Sequence, residues 1–271
     1  MSRFLEARGA RAGLLIVVLA VAAGLAAPSV VPYPPERQDI GILLTGPSGA
    51  HLLGVDDLGR DILSRVLFGA RVSLAVGVIA VGISLVVGLP VGLLSGYIGG
   101  ALDNVLMRIM DGLLAFPALV LALAISAVLG PSLENAMVAI GIVGVPTFAR
   151  LVRGGALGVR NLEYIEAARA IGVPQASILI RHVLPNVVAP VIVQASLAVG
   201  AAILTEATLS FLGLGIQPPT PSWGSMIDAG KGYLGTAPWF ALAPGVAIFV
   251  TVLGFNFLGD ALRDTLDPRL R

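Results

Sequence analysis

Long apolar runs separated by short polar segments dominate this sequence. Hydrophobic residues occupy 56% of the 271 positions, charged residues occupy 12%, and the mean hydropathy is +0.94. Soluble domains carry about twice that share of charged residues. Because about 20 apolar residues in a helix cross the bilayer core of roughly 30 Å, we predict an all-α membrane protein with six transmembrane helices. The predicted spans are Ala12–Val31, Val72–Ile98, Leu113–Leu129, Asn135–Val152, Val187–Thr205 and Trp239–Leu258.

The first run has two interpretations. It follows three arginines and ends in small residues at Ala26 and Ala27, a pattern that is also typical of a cleavable signal peptide. We prefer an uncleaved anchor, because the later runs belong to a protein that stays in the bilayer. Both interpretations place the N-terminus in the cytoplasm.

The spans divide the chain into four regions. Residues 1–31 form a cytoplasmic N-terminus and the first helix, and residues 32–71 form an extracytoplasmic segment with short helical pieces. Residues 72–260 form a five-helix core with a cytoplasmic loop at 153–186, and 261–271 form a cytoplasmic tail. Twelve of the 17 Lys and Arg residues then face the cytoplasm, which agrees with the positive-inside rule.

Apart from Arg150, at the cytoplasmic boundary of the fourth span, the predicted spans contain no Asp, Glu, Lys, Arg or His. Ion-coupled transporters keep ionisable groups at membrane depth to bind or relay ions, so this class of transporter is disfavoured. Glu206 is the one candidate exception, and we expect it to be a carboxylate in water at the end of the fifth span. Gly88, Gly92 and Gly96 form a small-residue face that favours close helix packing, within the chain or with a second subunit.

Catalytic and ligand-binding motifs are also missing from the sequence. The single lysine, Lys231, is not part of a phosphate-binding G-x-x-x-x-G-K-[ST] loop. The chain has no cysteine, and its two histidines, His51 and His182, are predicted on opposite sides of the membrane. We therefore predict no enzyme activity, no metal site and no cofactor, and the absence of a basic stripe argues against nucleic acid as a partner.

The loop after the fourth span has an ordered pattern. Asn161 is a candidate cap for a helix whose apolar positions Leu162, Ile165, Ala168 and Ile171 fall three apart. Gly172 suits the left-handed position that ends a helix, and Pro174 suits the start of a second helix at 175–183 that stops before Pro185. We predict two short helices joined by a tight turn.

This loop resembles the EAA loop of the membrane subunits of ABC importers. The matching residues are Glu166-Ala167-Ala168, Gly172 and Leu184-Pro185, while His182 stands where an aliphatic residue is usual. The run RHVLPN at 181–186 is similar to the peptide and nickel branch of that family. Glu166 and Arg169 either contact a partner or form a simple surface pair three residues apart.

Three further motifs resemble the same branch, which comprises dipeptide, oligopeptide and nickel permeases. They are GVDDLGRD at 54–61 followed by GARVSL at 69–74, SFLGLG at 210–215 followed by Pro218–Gly224, and GDALRD at 259–264 followed by LDPR at 266–269. Val55 replaces a usual Thr. The resemblance extends from about Gly54 to the end of the chain.

The resemblance implies a type I ABC importer permease fold in a bacterial plasma membrane, with both termini cytoplasmic. It implies a second related permease, two ATPase domains that hold ATP and Mg, and an extracytoplasmic substrate-binding protein. The expected cargo is di- or oligopeptides, with nickel chelates, glutathione or another small solute as alternatives, and an ion-coupled secondary transporter as the alternative of a different class.

The resemblance also implies two groups of functional residues. The expected ATPase-coupling residues are Glu166, Ala167, Ala168, Arg169, Gly172, Pro174, Leu184 and Pro185. The expected contacts with a binding protein or a gate are Asp56, Asp57, Arg60, Asp61 and Trp223. For Trp223 and Trp239 we favour anchoring at the membrane interface over such contacts, and 208–238 either stays outside or partly re-enters the membrane.

Overall fold

A computed structural model of the protein describes residues 8–266. Residues 1–7, with Arg3, and residues 267–271, which include most of the LDPR motif and the end of the predicted tail, lie outside the described residues. The helices are α1 Arg8–Val30, α2 Ile62–Ile98, α3 Gly100–Leu114, α4 Ala118–Leu129, α5 Leu133–Val159, α6 Glu163–Ala170, α7 Gln175–Ile178, α8 Leu184–Phe211, α9 Trp223–Gly230 and α10 Trp239–Leu266. A π-helical turn, Leu179–Val183, joins α7 to α8, and a 3-10 turn, Lys231–Tyr233, follows α9.

Five helical stretches within residues 8–266 are long and apolar enough to cross a membrane: α1, α2, α5, α7 with α8, and α10. A sixth crossing exists only if α3 and α4, which meet at 90°, are counted as one span. The all-helical membrane architecture is confirmed, but the single straight helix predicted at Leu113–Leu129 is wrong. Pro117 at the start of α4 explains the break, since it lacks an N–H and disfavours helical geometry in the preceding residue.

Helix α2 begins ten residues before its predicted start. The Asp61 side chain accepts a hydrogen bond from the Ser64 amide at 2.7 Å and so caps the helix. The short helical pieces predicted for the outer segment 32–71 are thus the first turns of α2. Residues 31–61 are irregular apart from one antiparallel bridge, Val55 to Asp61. With 37 residues, α2 is about 55 Å long and extends beyond the bilayer core.

The glycine face of α2 packs within the chain, against α5. An added Cβ would lie 2.8 Å from the Val145 carbonyl oxygen at Gly88, 2.4 Å from that of Ala149 at Gly92, and 2.7 Å from that of Arg153 at Gly96. Only glycine permits this approach of two helix backbones. Of the two partners considered for this face, the structure therefore selects a helix of the same chain.

The second helix of the EAA loop does not stop before Pro185, which corrects the prediction. Pro185 lies in the first turn of α8, where a missing N–H is tolerated. The preceding π-helical turn absorbs the local misfit. As a result α7, the π turn and α8 form one continuous stretch of 37 residues, Gln175–Phe211.

Helix α2 forms the centre of the bundle. It packs most extensively on α5, and also on α8 and α1, while α10 packs on α8 and α1. Val76, Phe148 and Ile203 are fully buried where α2, α5 and α8 meet. Helix α9 rests on α8 and α10 near one end of the bundle, and α6 and α7 lie at the other end.

Candidate functional site

The EAA hairpin, residues 161–183, is attached to the bundle by a row of apolar side chains. Ile165 of α6, Ile178 of α7 and Val183 of the π turn are each 0% exposed. Each buried side chain of this size contributes roughly 1.5–3 kcal/mol to the free energy of unfolding. The hairpin is therefore a packed element that transmits displacement to the bundle, as a flexible loop would not.

Details of the first hairpin helix differ from the prediction. Asn161 is not its cap, because the helix begins after Leu162 and has no side-chain cap bond. Of the predicted apolar face, Ile165 and Ala168 are buried, whereas Leu162 and Ile171 are exposed. The face is narrower than predicted because α6 has only eight residues.

The tight turn of the hairpin is confirmed. Gly172 has φ +81°, in the left-handed region that favours glycine. The Val173 amide donates to the Ala168 carbonyl at 3.0 Å, which closes the end of α6. Pro174 immediately precedes α7, as the sequence predicts.

Most of the predicted coupling residues form an exposed surface. Ala168 is buried, Leu184 is half-buried, and the exposed members are Glu166, Ala167, Arg169, Gly172, Pro174 and Pro185. A methyl group at Ala167 presents little bulk, so a partner can approach the helix backbone closely. The structure brings these residues to one end of the bundle, and their role in coupling stays a prediction.

Arg169 and Glu166 form no ion pair in the part of the chain that the structure describes. Its guanidinium instead lies 5.0 Å from the centroid of the Tyr97 ring, and its Nε donates to the Tyr97 hydroxyl at 3.4 Å. A cation over a tyrosine face is attractive by about 0.5–1 kcal/mol at exposed sites. Arg169 thus connects α6 to the end of α2.

Two ion pairs hold α3 against α5 beside the hairpin. Arg153 binds Asp103 with two hydrogen bonds of 2.6 and 2.7 Å, and Ser95 also donates to Asp103. Arg150 contacts Asp111 at 2.5 Å. These contacts fix the amphipathic helix α3 at the same end of the bundle as the hairpin.

At the opposite end, the predicted outer contact residues form an internal network. Asp56 is 0% exposed and accepts from Arg60 Nε at 2.6 Å, and Arg65 Nε lies 3.5 Å from the same carboxylate oxygen. Asp61, also buried, caps α2 and lies 2.9 Å from His51 Nδ1. These side chains hold the irregular outer segment onto the start of α2.

Asp57, which lies 3.7 Å from Arg60, is more open to solvent than these residues, with 28% of its side chain exposed. Partial burial, together with the neighbouring Asp56 charge, raises the pKa of Asp57 above its usual value. Its role in binding a partner, like that of Asp56, Arg60 and Asp61, stays a prediction.

Trp223 is buried, at 2% exposure, so anchoring at a lipid interface is wrong for this residue. Its indole Nε1 donates to the Val66 carbonyl at 2.9 Å, and its backbone amide donates to Ser73 Oγ at 3.4 Å. Trp223 therefore fastens α9 to α2. Trp239 is half-buried and lies against Gly46 and Gly54 of the outer segment.

Glu206 is fully buried, which corrects the expected solvent position. Ser210 Oγ donates to Oε1 at 2.7 Å, and Ser73 Oγ lies 3.4 Å from Oε2. The carboxylate thus connects α8, α2 and, through Ser73, the start of α9. Ser210 follows Glu206 by one helical turn, so the sequence alone could have suggested it as a hydrogen-bond partner. Ser73 is 133 positions away, and no local pattern connects it to Glu206.

A groove of about 370 Å³ runs between α2, α4, α5 and α8, and small side chains form most of its wall. We call it the central groove. It has no charged side chain, and its polar residues are Ser84, Thr147, Gln194 and Thr205. Among residues 8–266 no cluster of His, Asp or Glu suits a metal ion.

Comparison with known proteins identifies the family of this architecture. The model of "Binding-protein-dependent transport system inner membrane component" matches residues 88–271, and that of "N-terminal TM domain of oligopeptide transport permease C" matches residues 1–47. The glutathione transport system permease protein GsiD of Pectobacterium atrosepticum is 48% identical over 270 residues, which cover 99% of this chain and 90% of the relative.

Two further proteins are similar to the chain. The dipeptide transport system permease protein DppC of Alkalihalophilus pseudofirmus is 47% identical over 259 residues, covering 96% of this chain and 85% of the relative. The MetNI methionine ABC transporter, solved in an inward-facing conformation, shares the fold with a TM-score of 0.63 at 21% identity, over 76% of this chain and 98% of that chain.

The matched family consists of multi-pass inner-membrane components of ABC importers. Such a permease component is not itself an enzyme and has no cofactor, and ATP is hydrolysed on partner subunits. It works with ATPase and binding-protein partners. The chain belongs to this family of binding-protein-dependent permeases, as a member of the oligopeptide permease C type.

Proposed function

We propose that this chain forms one half of the translocation path of an ABC importer for short peptides, with glutathione as the first cargo to test. The named glutathione and dipeptide relatives support this cargo class. Among the cargoes considered from the sequence, they favour the glutathione alternative over longer peptides. A second related permease supplies the other half, and both termini face the cytoplasm.

The geometry of the EAA hairpin carries the proposal. Its exposed residues Glu166 and Ala167 lie on a helix whose opposite side, at Ile165, is fully buried in the bundle. The second arm continues without interruption into α8. An ATPase that pushes the hairpin therefore acts directly on a helix that lines the central groove, and allosteric coupling needs such a shared two-state element.

The central groove supports a path for a small polar cargo such as a short peptide. Thr147, Gln194 and Thr205 offer hydrogen bonds to peptide groups, while the lack of charged groups avoids trapping one end of the cargo. Conduction needs binding that is weak enough for release. We assign the groove to this chain's half of the path.

Coupling is tested with the complete importer in proteoliposomes that enclose glutathione-free buffer. Ala167→Trp adds bulk to the exposed side of α6, and Ala229→Trp makes the same change on an exposed position of α9 at the other end. We expect Ala167→Trp to lower glutathione uptake and cargo-stimulated ATP hydrolysis by about tenfold, with Ala229→Trp near the unaltered protein. Equal activity of both variants would overturn the coupling role.

The path is tested by thiol labelling, because the chain has no native cysteine. Thr147→Cys places a thiol in the groove, whereas Val86→Cys places one on an apolar side of α2 that is 75% exposed in the isolated chain. We expect a charged, water-soluble maleimide to modify Thr147→Cys in the assembled importer, with protection by S-methylglutathione, whose blocked sulfur cannot consume the reagent, and to leave Val86→Cys unmodified. Modification of Val86→Cys alone would contradict the assignment.

A further inference from the structure

A polar pocket of about 400 Å³ opens at the base of the EAA hairpin. It lies where the ends of α2 and α5 meet both arms of the hairpin. Its lining residues are Tyr97, Ile98, Arg160, Asn161, Arg169 and Gln175. Neither the coupling surface nor the central groove includes this pocket, apart from the shared residue Arg169.

Two guanidinium groups border the pocket without a carboxylate partner. Within residues 8–266, no Asp or Glu oxygen lies within 4.0 Å of Arg160 or Arg169. Asp103 lies nearby, but both of its carboxylate oxygens accept hydrogen bonds from Arg153. The pocket therefore has an excess of positive charge.

Each of these two arginines uses one donor inside the chain. Arg160 Nη1 donates to the Gly96 carbonyl at 3.2 Å, and Arg169 Nε donates to the Tyr97 hydroxyl at 3.4 Å. A guanidinium has five N–H donors and stays protonated in proteins, so both keep donors for a ligand. The side-chain amides of Asn161 and Gln175 add further donors at the rim.

We propose that this pocket binds a phosphate group. Planar guanidinium forks match the geometry of phosphate oxygens, and two of them supply the charge to offset a dianion or a diester. The volume suits a phosphate with part of its substituent. Of the lining residues Tyr97 is buried, whereas Ile98, Asn161, Arg169 and Gln175 are exposed, so a small anion from solution can reach both guanidinium groups.

A bound phosphate would connect the hairpin to the bundle. It would join Arg160, at the end of α5, to Arg169 in the first arm, and so restrict movement between them. Two sources carry this chemistry: the headgroup of an anionic phospholipid and a dissolved phosphate compound. The inference goes beyond the proposed function, because it concerns anion binding and does not depend on the identity of the cargo.

The test uses the complete importer in phosphatidylcholine nanodiscs with its nucleotide sites filled by Mg and a non-hydrolysable ATP analogue, whose terminal phosphate group keeps the probe out of the ATPase subunits. Equilibrium dialysis measures binding of radiolabelled inorganic phosphate. We expect Arg160→Gln and, separately, Arg169→Gln to weaken binding by about tenfold, and Arg160→Lys to weaken it less. Arg181→Gln, which removes an exposed arginine outside the pocket, should bind as the unaltered protein does.

A second experiment, in nanodiscs that contain phosphatidylglycerol, distinguishes a lipid headgroup from a dissolved phosphate compound. Displacement of inorganic phosphate by this lipid, lost in Arg160→Gln, identifies a lipid site; binding unaffected by the lipid identifies a soluble ligand. Binding that Arg160→Gln and Arg169→Gln leave unchanged would overturn the proposal. So would binding to the isolated chain but not to the complex, since an ATPase side chain would then occupy the pocket.

Discussion

The EAA hairpin and the outer network at residues 51–65 place charges in opposite ways. The hairpin exposes Glu166 and Arg169 on a short helix, whereas the network buries Asp56 and Arg60 beneath the outer segment. In the sequence, both regions contain short charged motifs, and both were predicted to contact partner proteins. The structure distinguishes charges that are available to a partner from charges that hold the chain together.

The difference arises from how each motif satisfies its carboxylates. Asp56 accepts the Leu58 and Arg60 amides at 2.9 and 2.8 Å as well as the Arg60 side chain, so its own tight turn satisfies it. Glu166 lies in a regular helix in which the backbone groups bond to one another. Its carboxylate is therefore left on the surface.

The largest predicted effect concerns the outer network. Asp56→Ala leaves the buried Arg65 without a carboxylate and Arg60 with only the Asp57 oxygen at 3.7 Å, and breaking a buried pair from one side costs about 3–5 kcal/mol. We expect a strongly lowered free energy of unfolding, measured by chemical denaturation in detergent. Asp228→Ala removes an exposed partner of Lys231 and should change the value little; equal effects would mean that the Asp56 network is not structural.

The next effect concerns Glu206, the buried carboxylate between α8 and α2. Glu206→Ala leaves the Ser73 and Ser210 hydroxyls without their acceptor, and unpaired buried groups cost about 1–3 kcal/mol. Thr208→Ala, on the half-exposed side of the same helix, is the matched control. A Glu206→Ala protein as stable as the control would show that the cluster does not hold α9.

A smaller effect is expected at the hairpin turn. No atom lies within 4 Å of a Cβ at Gly172, so the cost of Gly172→Ala comes from φ +81° alone, about 1–2 kcal/mol. Gly172→Asn should cost less, because asparagine tolerates this conformation. At Gly158, which is helical and equally open, Ala should stabilise instead. Hydrogen exchange of α6 amides measures the local effect.

The smallest stability effect is predicted at Glu166. Glu166→Ala removes an exposed side chain and should change the free energy of unfolding by less than about 0.5 kcal/mol, while it lowers cargo-stimulated ATP hydrolysis. The pair Asp56→Ala and Glu166→Ala thus separates structural from functional charge. A destabilised Glu166→Ala protein with normal cargo-stimulated ATP hydrolysis would show that Glu166 has a structural role and no coupling role.

The sequence was sufficient for features that depend on local pattern. Apolar runs located five of the helical spans, and Gly172 and Pro174 located the hairpin turn, because these residues restrict the backbone where they stand. The close packing along Gly88, Gly92 and Gly96 was also visible as a face, although the sequence left its partner open.

Features that depend on distant partners were beyond the sequence. The burial of Glu206 needs Ser73 from α2, and that of Trp223 needs the Val66 carbonyl, 157 positions away. Pro117 and Pro185 had opposite effects, one breaking a helix and one lying within a continuous stretch. Packing of the neighbouring helices, which no local rule contains, decides between these outcomes.

Cross-linking from Ala167 tests the central claim most directly. Ala167→Cys gives this subunit a single thiol, on the exposed side of the hairpin, and Ala229→Cys gives one at the other end. In sealed vesicles of the complete importer, a short bifunctional reagent should join Ala167→Cys to an ATPase subunit and fail to join Ala229→Cys. The account would be contradicted if no ATPase adduct formed and if, in intact cells, a membrane-impermeant maleimide added to the medium labelled Ala167→Cys.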